Sequence, residues 1–346
     1  MAEKQTGLDV KRLLDEVFDG STLPRERARA VMGSVMDGQL SQVQAAALLA
    51  ALRTRGETVE EIIGFAEAMR QRAIRVPVEH DGPLLDTCGT GGTGVNTFNI
   101  STASMFVAAA GGARVAKHGN RGVTRKSGAA DVLEALGAQL SQSPERLAAS
   151  IREVGLAFIF ARDYHPAMKF VAPIRADLKA RTIFNSLGPL TNPAGANRQL
   201  LGVYSPALVE PLARVLFGLG VKRALVVYGD GIDELTVAGV NTVCELREDQ
   251  VTRYTLTPEE VGLPRYALED LLGGEPSENA ATIRAVLSGQ ERGAKRDVVC
   301  LNAGAALYLM DRAASIGAGV ALAAQLIDLG QALSKLKQYL NFTAAG

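Results

Sequence analysis

The chain has 346 residues, 47% hydrophobic and 21% charged, which is enough apolar material for one large domain or two modest ones. Lys plus Arg and Asp plus Glu both number 37, and a formal charge of zero argues on bulk electrostatics against a dedicated nucleic-acid binder. Cys88, Cys244 and Cys300 form no C-x-x-C pair and imply neither a disulfide framework nor a zinc site, the pattern of a reduced, cytoplasmic protein. The N-terminal residues lead into an amphipathic stretch without a secretory signal. The apolar run at 45–52 stops at Arg53, far short of the ~18 residues a membrane span needs, so no membrane partner is expected.

Up to about residue 75 the pattern predicts helices alone. Leu8, Leu13, Leu14 and Val17 recur at helical spacing before Gly20. Pro24 is placed in the first turn of a second helix. Ser41 is the expected N-cap of a third helix stopping near Gly56, and Thr58-Val59-Glu60-Glu61 has the capping-box spacing of a fourth. From Pro77 the pattern changes. Leu84-Leu85-Asp86-Thr87-Cys88 reads as a short buried strand running into a glycine-rich loop. A helix at 101–110, a strand at 114–117, a helix at 128–137, a helix opening at Ser143-Pro144-Glu145 and a strand at 157–160 follow. A strand at 200–204, a helix to Phe217 and a strand at 223–228 continue the alternation, which predicts an α/β fold with a largely parallel sheet. Polar alternation at 243–257 predicts an antiparallel excursion. Val298-Val299-Cys300-Leu301 reads as a further strand before C-terminal helices. The expected fold class is α/β, with a small all-helical domain before a larger α/β domain, a mostly parallel central sheet and a substrate cleft between the domains.

The run Gly89-Thr90-Gly91-Gly92-Thr93-Gly94 matches a dinucleotide fingerprint literally, between a strand and a helix. That fingerprint needs an acidic residue at the end of the next strand to hold ribose hydroxyls, and here the strand ends in Lys117-His118. The Walker pattern fails as well, because no Gly-Lys-Ser/Thr closes the loop. The loop instead continues into Asn96-Thr97-Phe98-Asn99-Ile100-Ser101-Thr102, a row of hydroxyls and amides at a helix start, which suits a phosphate. These features together favour a phosphorylated sugar. A second loop, 117–128, packs four cations, His118 and three glycines into twelve residues where the next parallel strand ends. Tyr164-His165-Pro166-Ala167-Met168 follows, the segment 181–193 reads as a shaped, buried turn, and Arg175 is placed to form a fork onto a carboxylate or to lie as an ordinary surface arginine. Gly229-Asp230-Gly231-Ile232-Asp233-Glu234 follows an apolar strand, and its adjacent carboxylates suit Mg²⁺ bridged to substrate phosphates.

Seven blocks in one order carry a resemblance that spans nearly the whole chain. They are Gly89-Thr90-Gly91-Gly92, Thr97-Phe98-Asn99-Ile100-Ser101-Thr102, Lys117-His118-Gly119-Asn120-Arg121, Ser127-Gly128 with residues 130–137, His165-Pro166-Ala167-Met168, Gly188-Pro189-Leu190-Thr191-Asn192-Pro193, and Asp233-Glu234. In these the chain resembles the anthranilate phosphoribosyltransferases of tryptophan biosynthesis. The resemblance implies transfer of phosphoribosyl from phosphoribosyl pyrophosphate to anthranilate, a Mg²⁺ cofactor, a homodimer, and no nucleic-acid or membrane partner. It implies a helical domain of residues 1–75 joined by about 165–189, and an α/β domain of 76–164 and 190–346. It assigns phosphoribosyl pyrophosphate to Gly89, Gly92, Thr93, Thr97, Asn99, Ile100, Ser101, Thr102, Lys117, His118, Gly119, Asn120, Arg121, Gly122, Val123, Thr124 and Arg125. It assigns anthranilate to Gly89, Asn120, Arg175, His165, Gly188 and Pro189, and the metal to Ser101, Asp233 and Glu234.

Four positions depart from the family. Thr93 stands for a usual Asp, keeping a hydroxyl and losing a charge. Arg125 and Ala129 stand for usual serines, and Arg162 for a usual proline. A pyrimidine nucleoside phosphorylase, of similar architecture, and a nucleic-acid-binding relative that has lost the chemistry are the rival readings. The Lys117 to Arg121 and Gly188 to Pro193 blocks weigh against the first, and zero net charge with Arg175 retained weighs against the second.

Overall fold

The computed structural model describes residues 8–79, 82–122 and 126–345. The chain divides into two units, one of residues 1–74 and 162–191 and one of 75–161 and 192–346.

The first unit is helical because its segments are capped and amphipathic. Helix α1 (Val10–Phe18) opens on Asp9, whose carboxylate accepts from the Arg12 amide at 3.0 Å. Helix α2 (Arg25–Met36) starts just after Pro24, which takes the N-cap position. Helices α3 (Gln42–Arg55) and α4 (Val59–Arg72) open on capping boxes at Ser41/Gln44 and Thr58/Glu61. Glu61 is fully buried, so its oxygens must be satisfied. They accept from the Leu23 and Thr58 amides at 2.9 and 2.8 Å and from the Arg55 guanidinium, fastening three segments together. The segment from Arg162 to Thr191 belongs to this unit and carries α9 (Ala172–Leu178) and α10 (Phe184–Leu187) between short 3₁₀ turns; α8 (Ala161–Tyr164) leads into it.

The second unit is built on seven strands in the order β3-β2-β1-β4-β5-β6-β7. These are β1 (Leu85–Gly89), β2 (Val115–Gly119), β3 (Leu156–Phe160), β4 (Arg198–Gly202), β5 (Arg223–Gly229), β6 (Asn241–Arg247) and β7 (Gln250–Leu256). The first five pair in parallel and the last two are antiparallel. Parallel strands need crossovers, supplied here by α5 (Ile100–Ala110), by α6 (Ala129–Ala135) with α7 (Pro144–Glu153), and by α11 (Val209–Gly218). Helices α12 (Pro276–Leu287), α13 (Ala294–Leu309), α14 (Ile316–Asp328) and α15 (Gln331–Ala344) complete it.

One expected element is corrected. Val298, Val299, Cys300 and Leu301 lie in α13, not in a strand. This helix is buried on nearly every side, so its apolar residues fall consecutively and the helical period is hidden. Gly304 of α13 meets Gly319 of α14 so closely that a Cβ at Gly304 would lie 2.5 Å from the Val320 nitrogen. No single helix among the described residues is long and apolar enough to cross a membrane.

Candidate active site

The order β3-β2-β1-β4-β5 turns back on itself between β1 and β4, the place where open parallel sheets bind ligands beyond their carboxyl ends. Gly89 and Gly202 face each other there in register. A Cβ on Gly89 would fall on the Asp233 carboxylate, and one on Gly202 would overlap the Asp233 backbone. The two glycines thus let the loop after β5 lie across the strand ends. Asp233 and Glu234 are buried there. Asp233 Oδ2 accepts from the Gly91 amide at 2.6 Å, joining the acidic loop to the glycine loop. Gly91 and Gly92 have φ of 67° and 81°, which side chains disfavour, so the turn of the loop calls for glycine at both. Thr90 fixes the loop's start, donating its amide to Gly202 O at 2.9 Å and accepting from the Tyr204 amide at 3.0 Å. Thr93 is half-buried in the same loop.

Helix α5 begins at Ile100 with Asn99 as N-cap but without a side-chain cap, so the positive end of its dipole faces the loop. Thr97, Ile100 and Thr102 are buried, and the Ile100 and Thr102 amides donate to Phe98 O at 2.7 Å and Asn99 O at 3.1 Å. The Asn99 side chain is engaged within the protein: its amide donates to Ser127 O at 3.2 Å, and its oxygen accepts from Ser127 Oγ at 3.1 Å and Asn279 Nδ2 at 3.0 Å. Lys117, on β2, is a buried cation whose Nζ donates to Thr87 O and, at 3.0 Å, to Ser101 Oγ. His118 is buried and Gly119 closes the strand. Asn120 is exposed, and its Oδ1 accepts from the Arg121 amide at 2.8 Å. The Arg121 guanidinium turns instead onto α6, to Asp131 at 3.0 Å and bidentately to Glu134. Gly122 donates to Asp131 at 2.8 Å. Val123, Thr124 and Arg125 lie outside the described residues.

His165, Arg175, Gly188 and Pro189 belong to the helical unit. His165 is buried and hydrogen-bonded to the Thr191 backbone, and burial holds its pKa down at about 4, so the ring is neutral at pH 7. Gly188 and Pro189 form a 3₁₀ turn pinned by Arg70, whose Nε donates to Leu190 O at 2.8 Å. Arg175 is half-buried on α9. Among the described residues its guanidinium has no hydrogen-bond or ion-pair partner, and burial alone lowers its pKa.

Asp233 and Glu234 suit a magnesium ion. Mg²⁺ usually takes one or two carboxylates and fills its octahedron with water and substrate phosphate, so it needs no all-protein cage. Among the described residues no group of three or more His, Cys, Asp and Glu could make such a cage. The buried pair, joined to the glycine loop through Gly91, fits an ion delivered with a diphosphate.

Three supporting residues escaped the sequence reading. Asn302 of α13 clasps Leu235, accepting from its amide at 3.1 Å and donating to its carbonyl at 2.8 Å, and so fixes the residue after Glu234. Asn279 of α12 holds Asn99. Asn192 donates to Asp86 Oδ2 at 2.8 Å and to Ala116 O at 2.7 Å. Of the three only Asn192 lies in one of the seven sequence blocks, where it reads as part of a turn.

The chain is similar to known proteins over nearly its whole length. The model of the glycosyl transferase family a/b domain matches residues 81–333, and that of its helical bundle domain matches 11–73. The anthranilate phosphoribosyltransferase of Brevibacillus brevis is 55% identical over 334 residues, covering 96% of this chain and 97% of that protein. The solved anthranilate phosphoribosyltransferase of Thermus thermophilus superposes with a TM-score of 0.92 at 48% identity, over 97% of this chain and 100% of that one. The Saccharomyces cerevisiae enzyme, solved in complex with PRPP (phosphoribosyl pyrophosphate) and Mg, superposes with a TM-score of 0.88 at 26% identity, over 97% and 98%.

Proposed function

We propose that the chain, which belongs to the glycosyl transferase family as an anthranilate phosphoribosyltransferase, holds its sugar substrate on the carboxyl edge of its sheet and works with Mg²⁺. The chain transfers the phosphoribosyl group of phosphoribosyl pyrophosphate to the amine of anthranilate, giving N-(5-phosphoribosyl)anthranilate and pyrophosphate. Full-length kinship carries this function. The Asp233–Gly91 bond, which brings an acidic pair onto a phosphate-type loop, supports the placing of the diphosphate.

The aromatic amine is neutral at pH 7, so its attack on ribose C1 requires no strong base. The difficulty lies in the leaving diphosphate, whose charge grows as C1 gains oxocarbenium character. The N-terminus of α5 and Lys117 face that charge. Mg²⁺, when bound by Asp233 and Glu234 with the Ser101 hydroxyl, adds positive charge to the leaving group. Gly89, Gly92, Thr93, Asn99 and the backbone of 117–122 line the ribose and phosphates. Arg175 of the helical unit takes the anthranilate carboxylate in a fork. His165, being neutral, adds shape and hydrogen bonding without charge. The same reading makes the protein homodimeric and cytoplasmic; light scattering at twice 36.5 kDa checks the former.

The decisive assay mixes the protein with anthranilate, phosphoribosyl pyrophosphate and Mg²⁺ and follows loss of anthranilate fluorescence. Loss that requires all three supports the reading. Steady fluorescence, with phosphate-dependent cleavage of a pyrimidine nucleoside instead, overturns it.

A further inference from the structure

Asp86 lies near the start of β1, is fully buried, and has no part in the mechanism above. A carboxylate buried this deeply is unfavourable unless its oxygens are satisfied, so its partners show what it is for. One oxygen accepts from the His118 amide on β2 at 3.1 Å and the other from Asn192 Nδ2 at 2.8 Å. Asn192 in turn donates to Ala116 O, also on β2, at 2.7 Å, and accepts from the Ala194 amide at 2.9 Å.

The backbone shows why side chains are needed at this place. Strand β1 pairs with β4 at five positions up to Gly89, but its register with β2 is confined to Leu85 and Val115. Beyond Leu85 the two strands are linked by side chains, through Asp86 to His118, through Asn192 to Asp86 and Ala116, and through Lys117 Nζ to Thr87 O. The glycine loop leaves one of these strands and the basic loop leaves the other. Each link ends on a residue within three positions of a loop assigned to the substrate.

We propose that Asp86 is a positioning residue for phosphoribosyl pyrophosphate binding, fixing the carboxyl end of β2 so that Lys117 and the loop that follows it meet the substrate. This rests on the assignment of the diphosphate to that edge. The charged and titratable groups around Asp86 are Lys117 and His118 of β2 and Cys88 of its own strand, with Asn192 the remaining partner.

The variants exploit donor and acceptor count. A carboxylate accepts from both the His118 amide and Asn192, whereas the amide in Asp86→Asn accepts from only one and sets N–H against N–H at the other. Asp86→Asn is expected to raise the KM for phosphoribosyl pyrophosphate about tenfold, the worth of one buried hydrogen bond, with the KM for anthranilate within about twofold. Equal KM values in wild type and Asp86→Asn, or a fall in Tm alone, would overturn the proposal.

Should Asp86→Asn fail to fold, Asn192→Ser cuts the same link from the other side, and calorimetric titration with phosphoribosyl pyrophosphate alone reads it. Unchanged affinity there overturns the proposal equally. Lys117→Met separates the two levels. If it too leaves affinity untouched, the assignment of the diphosphate to this edge fails and takes the Asp86 proposal with it. If it weakens affinity while the Asp86 and Asn192 variants do not, the Asp86 proposal fails alone.

Discussion

Arg175 is a half-buried cation with no anionic partner among the described residues, an arrangement that loses solvation without regaining it inside the protein. An incoming carboxylate restores that balance. Arg175→Ala is therefore expected to raise the anthranilate KM by roughly 30-fold, about 2 kcal/mol for a charge-assisted fork, with phosphoribosyl pyrophosphate use nearly intact. Unaltered anthranilate kinetics would remove the arginine from the site. Asp233→Asn with Glu234→Gln should shift the Mg²⁺ titration of activity to higher concentration; an unmoved titration makes the pair a turn and nothing more. Two buried groups then set opposite pH trends. Burial raises the Asp86 pKa from 3.8 to about 6, opposed in part by Asn192, Lys117 and the His118 amide. Its stabilising contribution is complete below pH 3.8 and lost as pH rises through 6. Burial lowers His165 from 6.5 to about 4, so its contribution is complete above pH 6.5 and lost as pH falls through 4. Each amounts to about 3 kcal/mol. Across the window from about pH 6.5 down to about 4, Asp86→Asn should steepen the acid loss of stability and His165→Gln should lessen it, read from urea midpoints. Parallel midpoints in all three proteins would mean that neither group carries the shift.

At the scale of elements, the crossing of α13 and α14 is the tightest test of packing. Gly304→Ala places a methyl against the Val320 backbone and should cost about 1–3 kcal/mol, the usual range for overpacking, visible as a lower denaturation midpoint. A variant as stable as wild type would show that the helices separate freely. This crossing also marks where sequence reading stops. Ser41, Thr58, Ser143 and Gly20 sit within one turn of what they cap or end, so the helix starts and stops were legible locally. Strands β3 and β5 were legible as short apolar runs, and β1, β2 and β4 as short segments that each run into a glycine. Helix α13 lies in the middle of the unit with no polar face to reveal its period, and part of it passes for a strand. The residues that shape the site are harder still to read. Asn302, Asn192 and Asn279 act on partners 67, 106 and 180 positions away. No local spacing announces such pairs. The motif residues were found because glycine, hydroxyl and basic runs carry their chemistry in consecutive positions.

For the molecule as a whole, the reversal of strand order beside β1 concentrates the phosphate-facing loops at one edge of the α/β unit. Phosphoribosyl pyrophosphate with Mg²⁺ should slow amide exchange at 89–94, 99–102 and 117–122, and at roughly a hundredfold excess over its Kd should stabilise the protein by about 2.7 kcal/mol. Protection that falls on β6 and β7 instead would place the ligand elsewhere. The contact of Gly89 and Gly202 with Asp233 has a further consequence, for how the gene tolerates change. Neither glycine has a functional group to lose, yet each position admits only hydrogen. In a saturation-mutagenesis selection for growth without tryptophan, Gly202 should be as depleted of substitutions as Asp233, with alanine no better tolerated than leucine. A purifying signal of that kind would come from empty volume rather than from chemistry.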